Sequence, residues 1–430
     1  MHAGGCRFDP GRLHLTPSVF RWRFFLDFSA QLVTGLTGSS PAVPFAGKFE
    51  IESRNRLNLL PILALKYRGA AFRTMNPLDA QTFFRQSRGH LVLDVRSPSE
   101  FADGHVPAAI NVPLFDDDQR AQVGKTYADD GRDAAVLTGL EIIGPKMAAF
   151  VRRVSELLEQ IQIESPQVFI HCWRGGMRSQ SFGWLLETAG LKVNILNGGY
   201  KSFRRLVLDT IGRPHPMVVL SGLTGAGKTV FLKSLRENGE QVIDLEGLAN
   251  HRGSAFGSIG LGDQPSTQQF ENDLFLELDQ LDSDRRFWVE DEGSRIGRVV
   301  VPASFMQQIQ HAPAIFLDVP QERRLDNLLV DYGSLDRAEL AQATTNISKR
   351  LGGQNVKLAL DSIGEGDLRN AARISLSYYD RSYNTAASKL PREITVALPT
   401  EGLSDEAVLD EIVSQGNRLD VATGDLAPQS

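Results

Sequence analysis

Residues 222–229 read Gly-Leu-Thr-Gly-Ala-Gly-Lys-Thr and follow the apolar run 217–220. An apolar strand that turns through glycines into a helix opening on Lys-Thr fits the G-x-x-x-x-G-K-[ST] phosphate loop, whose setting is the carboxyl edge of a parallel sheet. Gly222, Gly225 and Gly227 let backbone N–H groups wrap phosphate oxygens; Lys228 supplies a point charge, and Thr229 a hydroxyl for Mg2+. Further strands are expected at 241–244, 287–290 and 315–319, followed by helices over 321–330, 335–351, 356–363 and 367–379 and a strand near 394–398. Among the acids at the strand ends, Asp291 is the preferred phosphate-site carboxylate, reaching Mg2+ through water; Asp244 and Glu246 compete for that role.

A second stretch with chemistry is His171-Cys172-Trp173-Arg174-Gly175-Gly176-Met177-Arg178-Ser179, between the strand 168–170 and a helix over 180–189. Backbone N–H groups at a helix start favour an anion and lower a thiol's pKa, and Arg174 and Arg178 add positive charge. Cys172 is therefore the candidate nucleophile and Arg178 the bidentate oxyanion clamp. Five residues separate Cys172 from Arg178, as in the loop of cysteine phosphatases; many sulfurtransferases have one fewer. Phosphatase chemistry would add a general acid, for which Asp103, His105 and 116–118 are available.

Composition narrows the setting. The chain has 430 residues, 42% of them hydrophobic and 23% charged, the profile of a globular protein of two or three domains. Only Cys6 and Cys172 occur and the eight histidines show no ligand spacing, so neither a disulfide framework nor a zinc site is expected. A reducing, cytoplasmic compartment and no membrane association follow. Residues 1–74 carry ten Arg/Lys against four Asp/Glu, so the net charge of −6 becomes −12 over residues 75–430. That segment lacks a sustained period and is read as a disordered or non-native extension upstream of Met75, in preference to an organelle-targeting sequence.

Between these features, helices are expected at 79–88 and 144–163, and strands at 91–95, 110–112, 168–171 and 193–196. Ser97-Pro98-Ser99-Glu100 has the cap, proline and glutamate of a helix start. The resulting organisation is α/β: a first α/β domain over 77–212, a P-loop parallel-sheet domain with a helical C-terminal part over 214–400, and a C-terminal helix and disordered tail over 401–430, the tail beginning near Gly416.

Leu93-Asp94-Val95-Arg96-Ser97-Pro98-Ser99-Glu100-Phe101 with Gly104-His105-Val106-Pro107-Ala108-Ala109-Ile110-Asn111-Val112-Pro113 resembles the signature of the rhodanese family. A rhodanese-like domain with the longer cysteine loop, followed directly by a P-loop domain, resembles the tRNA 2-selenouridine synthase family. That likeness also rests on Leu196-Asn197-Gly198-Gly199-Tyr200-Lys201, on Ala249 through Gly257, and on Trp288-Val289-Glu290-Asp291-Glu292 with Ile296-Gly297. Gly293 departs from the serine that the family typically has there.

The resemblance implies replacement of sulfur by selenium in 2-thiouridine at the wobble position of tRNA. Selenophosphate would be the donor, and geranylation of the same sulfur from geranyl diphosphate would improve the leaving group. Cys172 would hold the selenium-bearing or covalent intermediate, and the P-loop would bind a diphosphate, from geranyl diphosphate or from a nucleotide. For the RNA, Lys201, Arg204, Arg205, His251 and Arg252 are the candidate contacts, with Tyr200 and Phe203 interleaved for base stacking. Two other readings stand beside this one: a cysteine-dependent phosphatase or sulfurtransferase fused to a nucleotide-binding P-loop domain, and a nucleotide-regulated binding module.

Overall fold

The computed structural model describes residues 76–161, 165–387, 391 and 395–419. The extension 1–74, Cys6 and the tail beyond 419 lie outside the described residues. The chain divides into two compact units.

The first comprises 76–98 and 108–200 of the described chain. Its five strands are β1 (Asn76–Leu78), β2 (Leu91–Asp94), β3 (Ile110–Asn111), β4 (Val168–His171) and β5 (Val193–Leu196), in the order β1-β5-β4-β2-β3. Every pairing is parallel. The helices are α1 (Ala80–Ser87), α2 (Pro98–Ala102), α3 (Asp117–Asp130), α4 (Arg132–Ile143), α5 (Met147–Ile161), α6 (Met177–Thr188) and α7 (Gly199–Ile211), with the unit boundary inside α2 and inside α7. β2, β4 and β5 are buried along their whole length, as continuous apolar strands covered on both faces should be.

Helices α3 and α4 have no counterpart in the sequence expectations. Among their residues only Ala135 and Gly139 are buried, so no apolar stripe announces them. Asp116 closes a capping box with Gln119, and Asp117 and Asp118 form the first turn of α3. Those three carboxylates thus serve a helix end, which accounts for their clustering without an acid role. By length and composition Arg132–Ile161 would suffice to cross a membrane, which the sequence reading did not expect. It is broken by a 3-10 turn at Gly144–Lys146, and Val154, Leu157 and Leu158 of its second half belong to the core of this unit.

The second unit comprises 99–107 and the described residues from Lys201 onward. Its main sheet runs β12 (Val396–Pro399), β11 (Ala314–Asp318), β6 (Met217–Gly222), β8 (Phe287–Glu290), β7 (Gln241–Ile243), again all parallel, and the short β9 (Arg295–Ile296) and β10 (Val299–Val300) form a separate antiparallel pair. The segment 99–107 belongs here because α10 (Thr267–Gln280) and its cap hold it: Ser266 Oγ donates to the Asp103 carbonyl, His105 N to Gln269 Oε1 at 2.9 Å, and Asn272 Nδ2 to the His105 carbonyl at 2.8 Å. The expected helix over 335–351 breaks at Ile347 into Arg337–Asn346 and Ser348–Leu351.

Gly416 is not the start of a tail. It lies in the last turns of the helix Asp405–Arg418, where an added Cβ would come within 2.5 Å of the buried Trp288 ring. Gly416→Val should therefore cost about 1–3 kcal/mol in denaturant unfolding, whereas an unordered position would show no change.

Asp273 on α10 gives the unit a pH dependence. Its carboxyl is raised to about 7: burial drives the rise, a hydrogen bond from Gln269 opposes it, and the Glu277 charge adds to it. A raised acid binds its proton more tightly in the folded state, so stability falls as pH climbs from about 4 to about 7. The stabilisation from Asp273→Asn should grow by about 2 kcal/mol between pH 5 and pH 8; a pH-independent difference would contradict the assignment.

Candidate functional site

In the first unit β4 ends at His171 and α6 starts at Met177, leaving Cys172–Gly176 as the connecting loop. The sharp turn depends on two glycines in left-handed conformations, Gly175 (φ +66°) and Gly199 (φ +61°). A Cβ on Gly199 would run into the Cys172 carbonyl, and one on Gly175 would sit 2.8 Å from Leu196 O. That close approach allows Tyr200 N to donate to Cys172 O at 2.7 Å, fixing the cysteine's backbone. Cys172 is buried, with Sγ 3.2 Å from Ser179 Oγ in the first turn of α6; Ser179 Oγ also donates to Gly176 O. Arg174, within the loop, is exposed, and Arg178, in the first turn of α6, is half-buried.

Beneath the loop lies a charged platform. Arg96 binds Asp94 through Nε and Nη2, and its guanidinium lies 3.9 Å from the Tyr200 ring centroid. His171 Nε2 is 3.7 Å from Asp94 Oδ2. Burial pushes the Asp94 carboxyl up, but His171 and the Arg96 hydrogen bonds and charge outweigh it and hold the group below its usual range. Asn111 Nδ2 donates to the carbonyls of Asp94 and Arg96, tying the rhodanese-like signature to the cysteine's support.

In the second unit β6 runs through Gly222 into the phosphate loop and the helix α8 (Lys228–Glu237). Gly225 and Gly227 have φ of +81° and +80°. Lys228 Nζ donates to Gly222 O at 3.1 Å. The helix Gln321–Tyr332 braces the loop from outside: Arg324 donates to Thr224 O and Asn327 to Gly225 O, while Asp380 holds Arg324 with two hydrogen bonds.

The carboxylate that reaches Thr229 is Glu246, which accepts from its Oγ1 at 3.0 Å. Asp291, the preferred candidate, lines the same pocket but accepts from Ser221 Oγ and Tyr383 OH. Asp244 caps a short helix through Gly247 N. Glu290 was not singled out from the sequence. It is buried, receives the Glu246 amide on Oε1, and its Oε2 meets no partner among the described residues. Burial and the neighbouring Glu292 charge raise Glu246 to about 8 against the pull of Lys228; burial, Asp244 and Glu246 raise Glu290 well above its ordinary value. The pocket, of about 470 Å³, thus holds carboxyls that favour a proton or a cation.

Beside it lies a narrow, almost wholly apolar hollow of about 80 Å³. The two cavities share Thr224, Ser254, Leu328, Tyr332 and Tyr379. This hollow is assembled from four separate chain segments and left no sequence signal.

The expected RNA contacts separate. Lys201 and Arg205 are exposed. Arg204 is engaged by Glu271 and by Asn272 Oδ1. His251 is buried and its pKa lowered by that burial, while Arg252 lines the phosphate pocket and donates to Ile259 O. Tyr200 and Phe203 are fully buried, which corrects the expectation that they stack on bases: Tyr200 lies under Arg96, and Phe203 packs edge-on against Phe275.

The family model of a rhodanese-like domain matches residues 80–206, which contain the cysteine loop. The model described as the tRNA 2-selenouridine synthase AAA domain matches residues 215–401, which contain the phosphate loop. A tRNA 2-selenouridine synthase of Shewanella loihica is 40% identical over 288 residues, covering 62% of this chain and 75% of its own. The chain belongs to the tRNA 2-selenouridine synthase family. Another relative of that name, from Shewanella pealeana, is 33% identical over 75% of this chain and 95% of its own. The resemblance read from the motifs and the match to tRNA 2-selenouridine synthases therefore agree, and the α/β architecture with two parallel sheets is the one expected.

Proposed function

We propose that this chain is a cytoplasmic tRNA 2-selenouridine synthase that replaces sulfur by selenium in wobble 2-thiouridine, with selenophosphate as donor and an S-geranylated nucleoside as intermediate. The observation that carries the geranyl step is an apolar hollow that shares five lining residues with the phosphate pocket. A diphosphate on the glycine loop would have beside it a space whose open surface is almost wholly apolar, with the Thr344 and Ser375 hydroxyls of its lining spent on the Leu340 and Ala371 carbonyls.

In the first step the thiocarbonyl sulfur attacks C1 of geranyl diphosphate. The carbon–oxygen bond breaks, diphosphate leaves with the electron pair beside Lys228, and N3 of the base loses its proton. The residues fit a magnesium ion: Thr229 and Glu246 would hold it, and the buried Glu290 Oε2, without a partner among the described residues, would add acceptor capacity. When bound, such an ion adds positive charge beside the departing diphosphate.

In the second step the Cys172 thiolate attacks phosphorus of selenophosphate, with Arg178 on the phosphoryl oxygens. The phosphorus–selenium bond breaks and hydroselenide leaves. Hydroselenide adds to C2, geranylthiolate departs with the carbon–sulfur electron pair, and the proton from selenium moves to N3. Water then releases phosphate from Cys172. No oxidant or reductant is needed.

Purified protein given 2-thiouridine RNA should stop at the geranylated nucleoside when selenophosphate is omitted. It should form selenouridine when both co-substrates are supplied. Selenouridine formed with ATP or GTP in place of geranyl diphosphate would contradict the geranyl step.

A further inference from the structure

The first unit holds a second apolar space that the proposed chemistry has not yet used. A groove of about 450 Å³ lies among α3, α4, the start of α5 and α6. Leu114, Phe115 and Phe182 form part of its lining and belong to the same buried cluster as Cys172. Its upper walls are large apolar side chains left open to solvent, among them Leu140 at 60% and Trp184 at 54% exposure. Exposed apolar surface of this kind usually marks a binding site.

Two features say what it binds. Met177 and Arg178 lie in the first turn of the helix that follows the cysteine loop and also line the groove, so the groove's lining begins at the residue after the loop. The charged side chains of the lining are Arg132 and Arg178, both cationic. An apolar trough edged by two cations beside a nucleophile suits a hydrocarbon chain carried on a polyanion.

We propose that this groove receives the geranyl chain on the sulfur of the modified nucleoside and holds it beside the cysteine loop while the carbon–sulfur bond breaks. The inference rests on the S-geranyl intermediate proposed above and assigns it a second, separate apolar subsite.

The test uses the full chain and two anticodon stem-loop RNAs, one with 2-thiouridine and one with its S-geranyl derivative. Leu140→Glu and Trp184→Glu alter exposed positions, and circular dichroism checks that the fold is kept. Wild type should bind the geranylated RNA about tenfold more tightly than the 2-thiouridine one, and each variant should bring that ratio close to one. Conversion of the pre-geranylated RNA with selenophosphate should slow about tenfold at subsaturating RNA. Variants that keep the wild-type ratio overturn the groove assignment even while the enzyme works. Loss only of self-association or of binding to phosphatidylglycerol vesicles, with the ratio kept, also overturns it and makes the groove a dimer or membrane surface. A wild type that forms selenouridine from 2-thiouridine RNA but leaves the geranylated RNA untouched overturns the intermediate and the groove together.

Discussion

Cys172→Ala is expected to abolish selenouridine formation, by at least about a thousandfold, while S-geranyl nucleoside accumulates. In the proposed scheme the thiol attacks phosphorus and releases hydroselenide. Its backbone is fixed by Tyr200 N, and its sulfur sits on Ser179 at the start of α6. Alanine keeps that frame, so the loss reports chemistry and not collapse of the loop. In the proposed scheme the geranyl half depends on the other unit and should survive, visible as a mass gain on the thionucleoside. A variant with near wild-type selenouridine yield would remove Cys172 from the mechanism.

Lys228→Ala should give the opposite pattern. Lys228 is the cation of the glycine loop, and it lowers the proton affinity of both Glu246 and Glu292. Without it the diphosphate of the proposed step would lose its charge partner, and the surrounding acids lose their counter-charge. Geranylation should fall by about a hundredfold or more. Pre-geranylated RNA should still be converted with selenophosphate, because that step runs on Cys172. The two substitutions thus separate the two half-reactions, and a Lys228 variant blocked in both would argue against independent sites.

What the sequence disclosed was local. The phosphate loop and the cysteine loop each lie within nine consecutive residues, and their backbone requirements are written in Gly175, Gly222, Gly225 and Gly227. Fully buried parallel strands such as 168–171 and 287–290 announced themselves as short apolar runs. What stayed hidden depends on distant chain. Arg204 appeared to be a free surface cation until Glu271 and Asn272 on α10 met it. Tyr200 and Phe203 sit among basic residues in sequence, yet both face the interior. Choosing between Asp291 and Glu246 needs the crossover from β7, which carries Glu246 to Thr229. Helices α3 and α4 were missed because their apolar residues face a groove and leave no periodic stripe.

The most direct test of the account is mass spectrometry of tRNA nucleosides from cells that lack the gene and are complemented with either the wild-type chain or Cys172→Ala. The account predicts wobble selenouridine with the wild type, and S-geranyl-2-thiouridine without selenouridine with the variant. Unchanged 2-thiouridine in cells complemented with the wild type and supplied with selenium, or selenouridine restored by Cys172→Ala, would contradict it.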